Sequence, residues 1–185
     1  MTSGCGTSVN TVAVLCAAPR SVYHSMTDVE VYDLRRDART FAGGMPVVAH
    51  PPCRAWSAFT KHQAKPEPGE QALGLFCAHM VLRWGGVLEQ PAFSGLFAAA
   101  GLPLAGDSAG DVQTQEVWQS WWGHTGTRKR TWLCFVGCEP LAIPYRLRAK
   151  GRDKRLWQTM PRSLRSATCP AFAEWLVSTA RLVQP

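Results

Sequence analysis

Cys53 closes the tetrad His50-Pro51-Pro52-Cys53, which comes after the apolar run Met45-Pro46-Val47-Val48-Ala49. A thiolate in such a position can attack an electrophilic carbon, given positive, partly open surroundings that lower its pKa. The plain alternative is a small buried hydrophobe, the ordinary role of cysteine. Two later segments add chemistry. Val87-Leu88-Glu89-Gln90-Pro91 offers a carboxyl group, and Gly126-Thr127-Arg128-Lys129-Arg130-Thr131-Trp132-Leu133 brings Arg128 and Arg130. A nucleophile, an acid and two guanidinium groups suit covalent catalysis combined with electrostatic stabilisation. Trp56, three residues after Cys53 in a polar loop, is expected to wall a pocket rather than fill the core.

Positioning these groups falls to strands and their exits. Thr11–Cys16, Val29–Asp33 and Pro46–Ala49 read as short apolar strands, and Val87-Leu88 as another that stops at Glu89. The Pro-Pro pair ends the third strand, because proline cannot donate to a ladder and restricts its predecessor. Glu70 to Trp84 has helical spacing at Leu73, Phe76, Cys77, Met80, Val81 and Trp84, and Gly85-Gly86 ends it. Residues 93–100 predict a short helix, 103–110 a loop, 114–122 either strand or helix, 131–136 a strand and 171–182 a terminal helix. Residues 137–165 form a basic connection. Strands alternating with helices predict one α/β domain over residues 11–185 with a mostly parallel sheet, after a frayed segment at 1–10. In such sheets ligands bind at the carboxyl ends of the strands.

Composition narrows the partners. The chain has 185 residues, enough for a full core. No apolar run reaches a membrane span, since Arg83 interrupts the best candidate. Seven cysteines are scattered and odd in number, which argues for a reducing cytoplasm over a disulfide framework. Cys134 and Cys138 lack a second ligand pair, so no metal is expected. A net charge of +7, concentrated between Arg146 and Arg155, favours an anionic partner, DNA or a deoxynucleotide. The tryptophans at 118, 121, 122 and 132 read as core first and as base-stacking surfaces second.

The order Pro-Pro-Cys after a strand, Glu after the next, and Arg-x-Arg before a later strand resembles the DNA cytosine-C5 methyltransferase family. It is closest to small phage proteins of that type that lack a target-recognition domain, with Gly123-His124 ahead of the basic strand. The likeness spans about residues 11–140 and implies a compact Rossmann-like methyltransferase-type sheet. It assigns Cys53 as the nucleophile that attacks C6 of a pyrimidine, and Glu89 as the acid that binds the base at N3 and N4. Arg128 and Arg130 are the flanking cations. Asp33 and Asp37 would meet a cofactor, and Pro52, Trp56, Arg20 and His124 the substrate. The implied donor is S-adenosylmethionine. Burial is expected to raise the Glu89 pKa, letting it donate to a ring nitrogen.

Several positions depart from the pattern. The turn after the first strand is Cys16-Ala17-Ala18-Pro19-Arg20-Ser21, without the glycines that let backbone approach the cofactor. Gln90-Pro91 replaces Asn-Val, and Gly126 stands in place of a glutamine. Residues 139–165 are too few for a recognition domain, so recognition would be indiscriminate, directed at a free nucleotide, or supplied by a partner protein. Three readings stay open. They are a C5-modifying enzyme using S-adenosylmethionine, one that does without it, and an inactive DNA- or protein-binding module.

Overall fold

Val12-Ala13-Val14-Leu15 has no polar position, and each of its residues is fully buried. An unbroken apolar run is what a strand needs when both faces of its sheet are covered. The computed structural model describes residues 10–57, 65–123, 129–143 and 167–184. In it this run is β1 (Val12–Leu15), followed by β2 (Val29–Tyr32), β3 (Val47–Ala49), α1 (Glu70–Trp84), β4 (Gly86–Pro91), α2 (Leu96–Ala99), β5 (Ser108–Ala109), β6 (Val112–Trp118), β7 (Arg130–Val136) and α3 (Pro170–Ala180). Among the described residues no helix is long and apolar enough to cross a membrane.

The strands form one mixed sheet in the order β2-β1-β3-β4-β7-β6-β5. The first four are parallel, and β7, β6 and β5 are added antiparallel. The expected α/β class holds, but the sheet is not mostly parallel. Its second half is a meander, since β5, β6 and β7 follow one another in the chain and pair antiparallel in that order. Alternation sends Ala13, Leu15, Val47, Ala49 and Leu88 to the face covered by Cys77, Ala78 and Val81 of α1. Val12, Val14, Val48, Val87, Leu133 and Phe135 face α3, where Phe172, Ala173, Leu176 and Val177 cover them. The Phe172 ring lies among those of Trp122 and Trp175, at centroid distances of 4.8 and 6.3 Å. Trp122 and Trp132 are therefore core residues.

Strand order reverses direction between β1 and β3. The chain leaves β1 for β2 on one side, then returns to β3 and β4 on the other. The β1–β2 connection packs Tyr23 against the α3 face, whereas the β3–β4 connection is α1 on the opposite face. An open α/β sheet leaves a crevice at such a reversal, at the carboxyl ends of the two strands. His50 emerges there and donates its backbone N–H to Leu15 O at 3.0 Å.

Local details place the rest. α1 has the bounds its spacing predicts, and its first residue, Glu70, is buried beneath the Arg54 guanidinium. β4 is longer than the two residues expected, so Glu89 lies within the strand instead of beyond it. Residues 114–122 divide into the end of β6 and a 3-10 turn, Gln119–Trp122.

Gly86 sets the start and register of β4. Its φ is +120°, and a Cβ there would sit 2.0 Å from Val47 O, at the first pair of the β3–β4 ladder. The three nearest atoms, Val47 O, C and N, are all backbone, so no side chain can move aside. Gly86→Ala is therefore expected to cost more than about 3 kcal/mol, or to prevent folding, as measured by urea denaturation. Gly110→Ala, at positive φ but with open space around its Cβ site, should cost about 1 kcal/mol.

Candidate active site

Antiparallel pairing brings the start of β7 to the carboxyl end of β4. Pro91 pairs with Thr131 and Glu89 with Leu133, while Trp118, the last residue of β6, pairs with Arg130. One edge of the sheet thus gathers the His50–Cys53 loop after β3, the end of β4, Gln119 after β6, and Lys129 ahead of β7. Alternation decides which side chains meet. Glu89, with Val87, faces the α3 side, as does His50, two residues beyond Val48.

Glu89 is the centre of the cluster. Its carboxylate accepts from His50 Nδ1 at 3.0 Å on Oε2 and from Gln119 Nε2 at 3.0 Å on Oε1. Lys129 Nζ lies 3.7 Å from Oε1. Gln119 also donates to Thr131 Oγ1 at 3.1 Å, and Tyr23 Oη pairs with His50 Nε2 at 2.8 Å. A carboxylate can only accept, so Nδ1 is the protonated nitrogen facing it. Burial pushes the Glu89 carboxyl up, but the Lys129 charge, and then the His50 hydrogen bond and charge, outweigh burial and bring its pKa down to about 2. The sequence alone predicts the reverse. Burial by itself would protonate Glu89, and the donors that hold it ionised come from positions distant in sequence. Tyr23 is kept a phenol, its pKa raised by burial first and by the Glu89 charge second.

Cys53 occupies the turn that leaves the Pro-Pro stop, where its carbonyl accepts from the backbone N–H of Trp56 and Ser57 at 3.0 and 2.9 Å. The residue is half-buried. Burial raises its thiol pKa, the Glu89 charge raises it further, and the Lys129 charge opposes both. The resting pair at neutral pH is therefore thiol and carboxylate. Gln90 holds this loop in place. It is 1 % exposed, donates from Nε2 to Pro51 O at 2.6 Å, and accepts from Ser94 Oγ at 3.1 Å. The indole of Trp56 lies against α1 at Gly74, where a Cβ would meet its Nε1 at 2.3 Å. That face of the ring packs on the core, and its backbone carbonyl anchors Gly95 at 2.8 Å.

Other expected site residues fall elsewhere. Arg130 belongs to the opposite face of β7, where it forms two-point contacts with Glu116 at 2.7–2.9 Å and stacks near Phe93 and Trp118. Lys129, its neighbour in sequence, occupies the place beside Glu89. Asp33 accepts on Oδ1 from the backbone N–H of Arg35 and Arg36 at 2.8 and 3.1 Å, while Oδ2 is 3.4 Å from His24. Asp37 caps the 3-10 turn at Ala38–Thr40 and pairs with Arg39. Arg20 is exposed on the turn after β1, and Pro52 is half-buried beside Cys53. Arg128, His124 and the Arg146–Arg155 segment lie outside the described residues.

Sequence reasoning misses Tyr23, His50, Gln119 and Lys129. A signal for His50 does exist, because it sits two residues past Val48 on a known face. The other three reach the site through pairing that no local pattern displays. Among the described residues no group of three or more His, Cys, Asp and Glu side chains is arranged to hold a metal ion. Cys134 and Cys138 are buried thiols with pKa values pushed up to about 11 by that burial.

No protein-family model, curated protein or solved structure matches the chain.

The charge balance has two measurable outcomes. Alkylation of Cys53 by iodoacetamide, tracked by peptide mass spectrometry, should need a pH above that of an ordinary thiol. Glu89→Gln should move that midpoint down by removing the anion, and Lys129→Met should move it up. In acid, Glu89 contributes stability that is complete above its unfolded value near 4.5 and lost as pH falls through about 2. The acid loss in denaturant titrations should be smaller in Glu89→Gln than in the wild type by about 3 kcal/mol.

Proposed function

We propose that the protein is an enzyme that modifies a pyrimidine at C5 through a covalent adduct between Cys53 Sγ and ring C6. One observation carries this reading. A half-buried thiol and an ionised carboxylate share one sheet edge, close enough for the carboxylate charge to raise the thiol's pKa. C5 of a pyrimidine is a poor nucleophile until C6 is attacked. Attack forms the S–C6 bond and sends the C5=C6 π pair into the ring, which leaves C5 able to take an electrophile. Glu89 binds the ring edge, Lys129 offsets the developing charge, and Gln90 holds the loop that presents Cys53. The reversal of strand order supports a Rossmann-like arrangement of the kind the resemblance implies, with the ring bound at the carboxyl edge.

The turns that would hold S-adenosylmethionine fit it poorly. Cys16 takes the left-handed conformation, φ +61°, that a glycine would supply, and its sulfur packs 3.6 Å from Cys77 Sγ. The Ala17 N–H is spent on Tyr32 O at 3.1 Å. Asp33 has backbone donors on one oxygen and His24 beside the other, which leaves little for a ribose diol. These contacts favour the form of the reading in which the group added at C5 comes from another donor. The net charge of +7 suits a substrate carrying phosphate, as nucleotide or DNA, with any sequence preference supplied by a partner protein.

The adduct can be tested without any donor. In D2O, reversible addition of Cys53 lets C5 take a deuteron from solvent. Loss of the original C5 hydrogen as a proton and release of the thiol then restore the ring. Pyrimidine deoxynucleotides and short single-stranded oligonucleotides should gain one mass unit per ring, read by mass spectrometry, and Cys53→Ser should slow the exchange at least about a hundredfold. Absence of exchange in every pyrimidine substrate would overturn the reading. If DNA is the substrate, its binding should weaken steeply between low and physiological salt and vary little with sequence, measured by fluorescence anisotropy.

A further inference from the structure

We infer that the site takes a pyrimidine with oxygen at C4, a uracil ring, in preference to one with an amino group there. The inference rests on the adduct reading above and names the substrate of that same site. Three groups approach the Glu89 carboxylate, two of them hydrogen-bond donors and the third an ammonium at ion-pair distance. They are His50 Nδ1 at 3.0 Å, Gln119 Nε2 at 3.0 Å and Lys129 Nζ at 3.7 Å. Among the described residues, the groups that bond or pair with this carboxylate each turn an N–H toward it. It meets a substrate as an acceptor, with an ammonium donor at its side. An ammonium has three N–H donors, and among the described residues Lys129 pairs with one carboxylate oxygen, so Lys129 can also serve the ring.

The two ring types present opposite edges. Uracil offers an N3–H donor next to an O4 acceptor, whereas cytosine offers an N3 acceptor next to an N4 amino donor. The O4 acceptor and N4 donor are the same features by which the two bases are told apart in duplex DNA. Against Glu89 and Lys129 the uracil edge matches at both points, with N3–H donating to the carboxylate and Lys129 to O4. The cytosine edge fails at both, because a ring lone pair faces a carboxylate and an amino group faces an ammonium. A site built to hydrogen-bond one pattern rejects the other by a large factor, since its buried polar groups are left unpaired.

The reaction favours the same ring. When Cys53 Sγ bonds to C6 of uracil, the C5=C6 pair moves through C4 to O4 as an enolate, and the thiol proton leaves to solvent. Lys129 meets the charge where it develops, and N3 keeps its proton throughout. The corresponding intermediate from cytosine needs a proton delivered to N3. The group facing N3 would be Glu89, whose pKa is about 2.

The test compares C5 deuterium exchange in matched oligonucleotides and nucleotides carrying deoxyuridine or deoxycytidine, for the wild type, Lys129→Met and Lys129→Arg. Wild type should favour deoxyuridine by about a hundredfold or more in kcat/KM. Lys129→Met should reduce deoxyuridine exchange and narrow the ratio, and Lys129→Arg, which keeps a cationic donor, should restore much of it. Equal or faster exchange on deoxycytidine would overturn the inference while leaving the adduct reading intact. An unchanged ratio in Lys129→Met would also overturn it, since the preference would then belong to the ring's own reactivity. Exchange on neither ring would remove the adduct reading and the inference together.

Discussion

Burying a carboxylate costs several kcal/mol unless donors replace its water. Much of this protein's architecture at one sheet edge supplies those donors to Glu89. His50 comes from the exit of β3, Gln119 from the turn after β6, and Lys129 from the approach to β7. Tyr23, from the β1–β2 connection, backs His50. Four segments separated widely in sequence must agree in register for this one charge to be tolerated. The demand runs back into the sheet. β4 must start at Gly86 against Val47, and β7 must pair Leu133 with Glu89, or the carboxylate meets the wrong face.

The same charge adds to the effect of burial on the thiol. Burial first, and the nearby carboxylate charge second, keep the Cys53 sulfur protonated, and Lys129 opposes both. Gln90 adds a mechanical coupling, since it belongs to the same strand as Glu89 and bonds the carbonyl of Pro51 in the loop that carries Cys53.

Some of this is legible in the chain itself. The α1 helix, Glu70–Trp84, is set by its apolar spacing and by Gly85-Gly86, because local sterics and one buried stripe suffice to define a helix. β1 and β3 are set by runs without a polar residue. β4 reads short in the sequence because Glu89 and Gln90 are polar, and a polar residue in a buried strand looks like its end. The antiparallel half of the sheet is hidden for a related reason. Strand direction depends on how the β6–β7 connection folds back, which no periodicity records.

The amino-acid sequence by itself determined the α/β class, the central apolar strands, and the presence of a thiol, a carboxyl and several cations near strand ends. Those depend on local backbone preference and on which residues avoid water. Tertiary structure decided which cation serves the carboxyl. Arg130 and Lys129 are adjacent in the chain, but successive residues at the entry to β7 address opposite faces of the sheet. Lys129 therefore reaches Glu89 while Arg130 pairs with Glu116. Tertiary structure also decided the protonation of Glu89. Burial and donor count oppose each other there, and the donors come from strands whose pairing exists only in the folded sheet.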